Sequence, residues 1–444
     1  MKIEKDCINY KMKISKYKGQ NIKTYITTLF TYKDICNKLI KTTDGAELKA
    51  KKLNTINYIT TNYEAGAIYI EIKDNKIADL YALVNLEFKN KWHSYLPKDF
   101  NSYSYNKEKE RVLKTRVFEP AAKLKSPEYW TKNGFLINMF NYGTIFNSYQ
   151  LELIDLIKET LNKKKIKNIC FIIWTKDVPL LNYTGKDIYI PQYKINIQGK
   201  QFLPILSQST LKGFLDIPIP NSEEWQICRK LYFPPPKYDK KNKTFKCSYF
   251  NTNLIQKYEW KDKIEKGFFR GSSTGYYNDL RNPRLLAAHL GTQYPELLDT
   301  GITTFVKRDK IIDGEISYFI PNNFGLTAAP FVNNLEFGKY KYIINIEGNG
   351  LPYRKPSLFF YSSVILDVQS NFKSWFEIDE LLKPYVHYIP IKSDLSDLVE
   401  KIEWCKNNDE ECKKIAMNCY NFALTHFNYD FYLNYMKEVL NGFS

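Results

Sequence analysis

Six consecutive apolar residues, Ile169–Trp174 (ICFIIW), constrain the fold of this chain more than any other stretch. A run that short, with no alternation, is the pattern of a β-strand buried on both faces, as in a parallel sheet covered by helices. The residues before it agree. Leu151–Leu161 (LELIDLIKETL) repeats apolar side chains at helical spacing, and a polar KKKIKN segment follows. The pair reads as a helix–strand unit of an α/β sheet. The strand gives way to Thr175-Lys176-Asp177-Val178-Pro179. Asp177 is therefore expected on a loop at a strand's carboxyl end, the edge where open α/β sheets bind ligands. From spacing alone it is either a functional carboxylate or a turn and N-cap residue.

The alternation returns further along. Tyr340–Ile346, Ser363–Val368 and Val386–Ile391 have strand character, and a helix starts near Pro356. Leu395–Cys405 and Glu410–Phe427 are helical by periodicity. Such βαβ alternation predicts a mostly parallel sheet with helices on both faces. Pro234-Pro235-Pro236 and the polar Lys237–Thr244 read as a linker or exposed loop. The expected fold is thus α/β: two facing Rossmann-like domains with a cleft between them, over residues 91–250 and 251–425. Residues 426–444 form a C-terminal helix that can pack back on the first domain. Residues 1–90 are an N-terminal extension or first strands, with strand-like runs at Gly66–Ile72 and Ala82–Leu86.

Charge narrows function less than its size implies. The 444 residues carry 65 Lys and Arg against 48 Asp and Glu, a net +17. Only eight of the 65 are Arg. Lys, Asn, Ile and Tyr share A/T-rich codons, which points to an AT-rich source such as a large DNA virus or an AT-rich microbe. A basic, non-catalytic nucleic-acid-binding protein is one reading of the charge, but the basic residues are spread and no nucleic-acid motif accompanies them. No run approaches the ~20 apolar residues of a membrane-spanning helix. The N-terminal residues lack an apolar h-region, so the expectation is no signal peptide and a cytoplasmic protein, in a host's cytoplasm if viral. No Cys pair forms CxxC, and Cys405, Cys412 and Cys419 recur every seven residues, as thiols on one buried helix stripe would.

Two segments are suited to phosphate. Phe268–Gly275 (FFRGSSTG) combines glycines, which admit an anion close to the backbone, with hydroxyls and the planar fork of Arg270. It is no P-loop, since no GK[ST] follows. Glu347–Arg354 (EGNGLPYR) enters a helix near Pro356, and a helix N-terminus beside an arginine is an anion site. Five of the eight Arg (270, 281, 284, 308 and 354) lie in this part of the chain. Arg281 and Arg284 are expected to make structural salt bridges or cap helices. No Asp-x-Asp or His-x-x-x-His supports a metal, so a bound diphosphate would be neutralised by Arg, N–H groups and helix dipoles.

Taken in order, these segments resemble the family 90 glycosyltransferases, which include protein O-glucosyltransferases and fungal capsule xylosyltransferases. The matching pieces are TKDVP (175–179), DIPIP (216–220), FFRGSSTG with NPRLLAA (282–288), FGKYKYIINIEGNG (337–350) and LLKPYVHYIPIKSDLSDLVEKIEWCKNND (381–409). They run from about Ile169 to Phe427. The resemblance implies a GT-B fold, with the acceptor on the first domain and a UDP-sugar donor, UDP-glucose or UDP-xylose, on the second. It implies metal-independent inverting transfer, with no cofactor, to a hydroxyl of a protein Ser/Thr or a glycan. It makes Asp177 the general base, puts Arg270, Gly271, Ser272, Ser273, Thr274 and Arg354 at the donor diphosphate, and puts Tyr342 and Glu347 near the nucleoside. No specific nucleic-acid partner is implied. Three features depart from the family. Ser273 stands where some members have Arg, Tyr353 precedes Arg354 where many have small residues, and the signal peptides and paired cysteines of luminal members are missing. A degenerate, glycan-binding GT-B module is the remaining alternative; Asp177 together with both phosphate segments argues against it.

Overall fold

The computed structural model describes residues 45–62, 65–84, 148–184, 200–232, 237–239, 244–246, 258–307, 310–312, 315–320, 323–378 and 381–443. They build two α/β lobes, each around a five-stranded sheet. The first lobe contains α1 (Ala46–Asn62), β1 (Ala65–Lys73), β2 (Lys76–Val84), α2 (Ser148–Lys163), β3 (Ile169–Trp174), β4 (Ile205–Ser207), β5 (Ile217–Pro218) and α3 (Ser222–Tyr232). Its strand order is β2-β1-β3-β4-β5. The sheet is mixed rather than wholly Rossmann-like: β3, β4 and β5 run parallel, while β1 is antiparallel to both β2 and β3. The reason is the two-residue turn between β1 and β2, where Asp74 and Asn75 take φ of 51° and 59°. Such primed turns match the strand twist and hold two strands antiparallel. The sheet therefore begins well before residue 91.

The apolar run of β3 is buried throughout. Because side chains alternate between sheet faces, Ile169, Phe171 and Ile173 pack with Leu153, Ile154 and Ile157 of α2. Cys170, Ile172 and Trp174 pack with Ile56 and Ile59 of α1. A strand between two helical layers needs no polar side, which is why the sequence shows no alternation there.

A small hairpin, β6 (Lys237–Asp239) with β7 (Thr244–Lys246), stands in the stretch read as a linker. The second lobe contains β8 (Ile264–Ser272), α4 (Pro283–Gln293), β9 (Leu298–Thr304), β10 (Lys310–Ile312), β11 (Glu315–Ser317), β12 (Tyr340–Asn345), α5 (Lys355–Leu358), β13 (Val364–Val368), α6 (Trp375–Ile378), β14 (Ile389–Ile391), α7 (Leu398–Asn407), α8 (Asp409–His426) and α9 (Tyr429–Gly442). Its main sheet, β14-β13-β12-β8-β9, is parallel throughout. Cys405 and Cys412 are buried free thiols in its core, and Cys419 is buried where the lobes share a core.

That shared core joins the lobes. Trp375 of α6 lies among Phe427, Phe431, Tyr432 and Tyr435, the last at 4.9 Å between ring centroids. Its Nε1 donates to Glu224 Oε1 of α3 at 2.9 Å. Helix α9 crosses to the first lobe: Tyr429 stacks on Trp225, and the Tyr435 hydroxyl donates to the Pro218 carbonyl at 2.7 Å. Among the described residues no helix is long and apolar enough to cross a membrane.

Candidate functional site

Three loops at strand carboxyl ends converge between the lobes: Thr175–Pro179 after β3, Ser273–Gly275 after β8, and Ile346–Arg354 after β12. The first is tied down from beneath. Thr175 donates from both its N and Oγ1 to the Gly66 carbonyl at 2.9 Å, and Trp174 Nε1 to the Val178 carbonyl at 2.6 Å. Asp216, the aspartate of DIPIP, is buried and accepts from Leu180 N at 2.6 Å, Leu181 N at 2.7 Å and the Ser207 hydroxyl. Burial pushes its pKa up to about 6, with those hydrogen bonds opposing the rise. Asp177 is left exposed on a loop whose backbone is fixed.

Across the cleft, the Gly-rich turn meets it. Asn349 Nδ2 and the Tyr353 hydroxyl donate to Asp177 Oδ2 and Oδ1, each at 3.2 Å. The close approach explains two glycines. A Cβ on Gly350 would collide with the Asp177 carbonyl oxygen, and one on Gly348 would lie 2.6 Å from Thr274 Oγ1.

Arg284, expected to be structural, joins the two phosphate-suited segments. From the first turn of α4 its Nε donates to Glu347 O at 2.8 Å, its NH2 nitrogen to Ile346 O at 3.0 Å, and its NH1 nitrogen to Ser272 O at 3.1 Å and Thr274 Oγ1 at 2.7 Å. Arg354 reaches beneath the same loop, donating to the Arg270 carbonyl at 2.7 Å, with its Nε buried and without a partner. Burial pushes the Arg284 pKa down to about 9 and the Arg354 pKa to about 10, both still cationic near neutrality. The sequence marked Arg284 only as structural; that it ties the two glycine-rich segments together comes from its place just after the Asn282-Pro283 helix start.

The other expected site residues divide. Arg270 and Gly271 are strand rather than loop residues, because β8 continues to Ser272 and pairs them with Gly301 and Ile302 of β9. The pleat turns the Arg270 fork onto Asp299: NH2 to Asp299 Oδ1 at 2.6 Å, NH1 to Asp299 O at 2.9 Å and Phe269 O at 3.0 Å. Arg270 does not offer that fork to a ligand in this arrangement. Ser273 Oγ accepts from Val306 N at 2.8 Å. Glu347 sits at the end of β12, bonded by the Ser370 hydroxyl, and burial raises its carboxyl pKa. Tyr342 is a correction. In the middle of β12, fully buried with Ile344, Ile402 and Cys405, its side chain is a core residue and cannot reach a nucleoside. Arg281 pairs with Asp279 at 2.6 Å, and Arg308 lies outside the described residues. Among the described residues no three His, Cys, Asp or Glu side chains group as metal ligands.

The arrangement sets a fixed carboxylate against a cationic, glycine-lined turn, which suits proton removal next to a departing anion. Known proteins are similar to this chain in sequence. Protein 035R of Invertebrate iridescent virus 3 is 31% identical over 87% of this chain and 36% of its own length. Protein O-glucosyltransferase 2 of Danio rerio is 36% identical over 42% of this chain and 33% of its own. The chain thus spans about a third of the length of these relatives. Among solved structures, HepE of Anabaena in complex with UDP-glucose is 10% identical, with a TM-score of 0.29, over 66% of this chain and 76% of that one. The sequence profile of glycosyl transferase family 90 matches residues 149–444, two thirds of the chain, and the protein belongs to that family.

Proposed function

We propose that the protein is an inverting glycosyltransferase that moves glucose or xylose from a UDP-sugar to a hydroxyl of a protein Ser/Thr or a glycan. The observation that carries this reading is the pair of hydrogen bonds joining Asp177 to the Gly-rich turn of the second lobe. They set a carboxylate beside the segment best suited to a diphosphate. In the step, the acceptor oxygen bonds to the anomeric carbon. The bond from that carbon to the UDP oxygen breaks, its electron pair leaves with UDP, and the hydroxyl proton passes to Asp177. An α-linked donor gives a β-linked product. General-base help of this kind is worth about 10²–10⁴-fold.

Gly271, Ser272, Ser273 and Thr274 and the cation Arg354 are assigned to the departing diphosphate, with Arg284 fixing the two segments from beneath and adding its charge, and Glu347 to the nucleoside side. Arg270 acts from the strand beneath, its carbonyl accepting from Arg354. This positive charge supports a reaction that needs no metal. The test is UDP release from a panel of UDP-sugars, with and without EDTA. Asp177→Asn is expected to keep UDP affinity by calorimetry and to lose turnover by at least about 10²-fold. Near-normal turnover in that variant removes Asp177 from the role, and a strict Mn²⁺ requirement overturns the metal-free mechanism.

A further inference from the structure

Asp177 belongs to the first lobe, yet the hydrogen bonds described for its carboxylate come from the second. Asn349 Nδ2 donates to one oxygen and the Tyr353 hydroxyl to the other, each at 3.2 Å. Each donor is itself aimed. The N–H of Gly275, at the end of the loop after β8, donates to Asn349 Oδ1 at 3.3 Å, which turns the amide nitrogen toward Asp177. Gln208 Nε2 donates to the Tyr353 hydroxyl oxygen at 2.8 Å, so that the hydroxyl's own proton points at Asp177. Asn221 Nδ2 holds the Tyr353 carbonyl at 3.4 Å. A carboxylate offers about four acceptor positions, so two bonds orient it and leave room for an acceptor hydroxyl.

We propose that Asn349 and Tyr353 are positioning residues that orient the Asp177 carboxylate from the donor side, so that the base is set only when the loop after β8 and the Gly-rich turn are in place against the first lobe. The inference rests on Asp177 being the base. Its particular content is the pair of contacts across the cleft. One of them uses Tyr353, the residue just before the buried Arg354. The charged groups around Asp177 are its neighbour Lys176, whose side chain lies along Gly66, and Arg284, which faces it from α4 and is itself balanced by Glu347. Both proposed substitutions leave these groups in place.

The experiment follows UDP release, with water as acceptor, from whichever of UDP-glucose and UDP-xylose the wild type cleaves, and measures UDP affinity by calorimetry. Wild type, Tyr353→Phe, Asn349→Ala and Asp177→Asn are compared. Each positioning variant removes one hydrogen bond from the carboxylate and is expected to lower kcat about tenfold with UDP affinity unchanged. Two results overturn the proposal: both variants keep the wild-type kcat, or UDP affinity falls in step with kcat, which would mark a structural role. Asp177→Asn separates the two ideas. If it is inactive while both positioning variants keep the wild-type kcat, positioning fails and the base assignment stands. If it is active, the base assignment itself falls and takes the positioning with it.

Discussion

Gly350 shows how narrowly Asp177 is placed. Its missing Cβ is what lets the turn after β12 pass the Asp177 carbonyl. In Gly350→Ala one backbone must retreat, and a displacement of about 1 Å at a reacting group can cost 10²-fold in rate. The expected outcome is a loss of turnover of that order with UDP affinity within a few fold, read by initial rates and calorimetry. Arg284 has a different task. It donates to three carbonyls and one hydroxyl of the two phosphate-suited segments, and an ammonium cannot reproduce that fork. Arg284→Lys is expected to leave buried acceptors unpaired, at about 1–3 kcal/mol for each one lost, and to weaken UDP binding at least tenfold. Thermal unfolding and UDP titration check both. The sequence marked Arg270 and Arg354 through their glycine-rich context. It could not show that the fork of Arg270 belongs to Asp299, because that pairing depends on how β8 registers with β9.

Elements were legible where burial leaves a periodic trace. The uninterrupted apolar run of β3 and the helical repeat of α2 announced themselves, since each packs one continuous surface. The hairpin of β6 and β7 left no such trace, and neither did the antiparallel pairing of β1. A mixed sheet and a parallel one use similar strands, and the turn at Asp74-Asn75 alone betrays the direction. Helix α9 binds the lobes through aromatic contacts whose centre is Trp375. Trp375→Ala removes a buried indole that also bonds Glu224 across the lobes. It is expected to cost about 3–5 kcal/mol of stability, seen as a lower urea midpoint.

Two buried carboxyls of the first lobe, Asp216 within it and Glu224 at the seam with the second, give the whole molecule a pH signature. Burial raises the pKa of Glu224 from 4.5 to about 8 and that of Asp216 from 3.8 to about 6. A carboxyl whose folded pKa is raised binds its proton more tightly when folded. The stability it contributes is fully present below the unfolded pKa and is lost as pH rises through the folded one. Tm is therefore expected to decline from about pH 4 to about pH 8, and Glu224→Gln to flatten the upper part of that decline. An unchanged slope in the variant would exclude Glu224 as its source. By itself the sequence determined the class of the fold and the loops that carry chemistry, because buried strands, helix periods and glycine-rich turns are local consequences of which side chains avoid water. Only the tertiary structure decided that Asp177 meets Asn349 and Tyr353, that Arg284 stands under both glycine-rich segments, and that Tyr342 is core. Those contacts join residues far apart in sequence, and their geometry follows from how the two lobes are joined through their helices and strand-end loops.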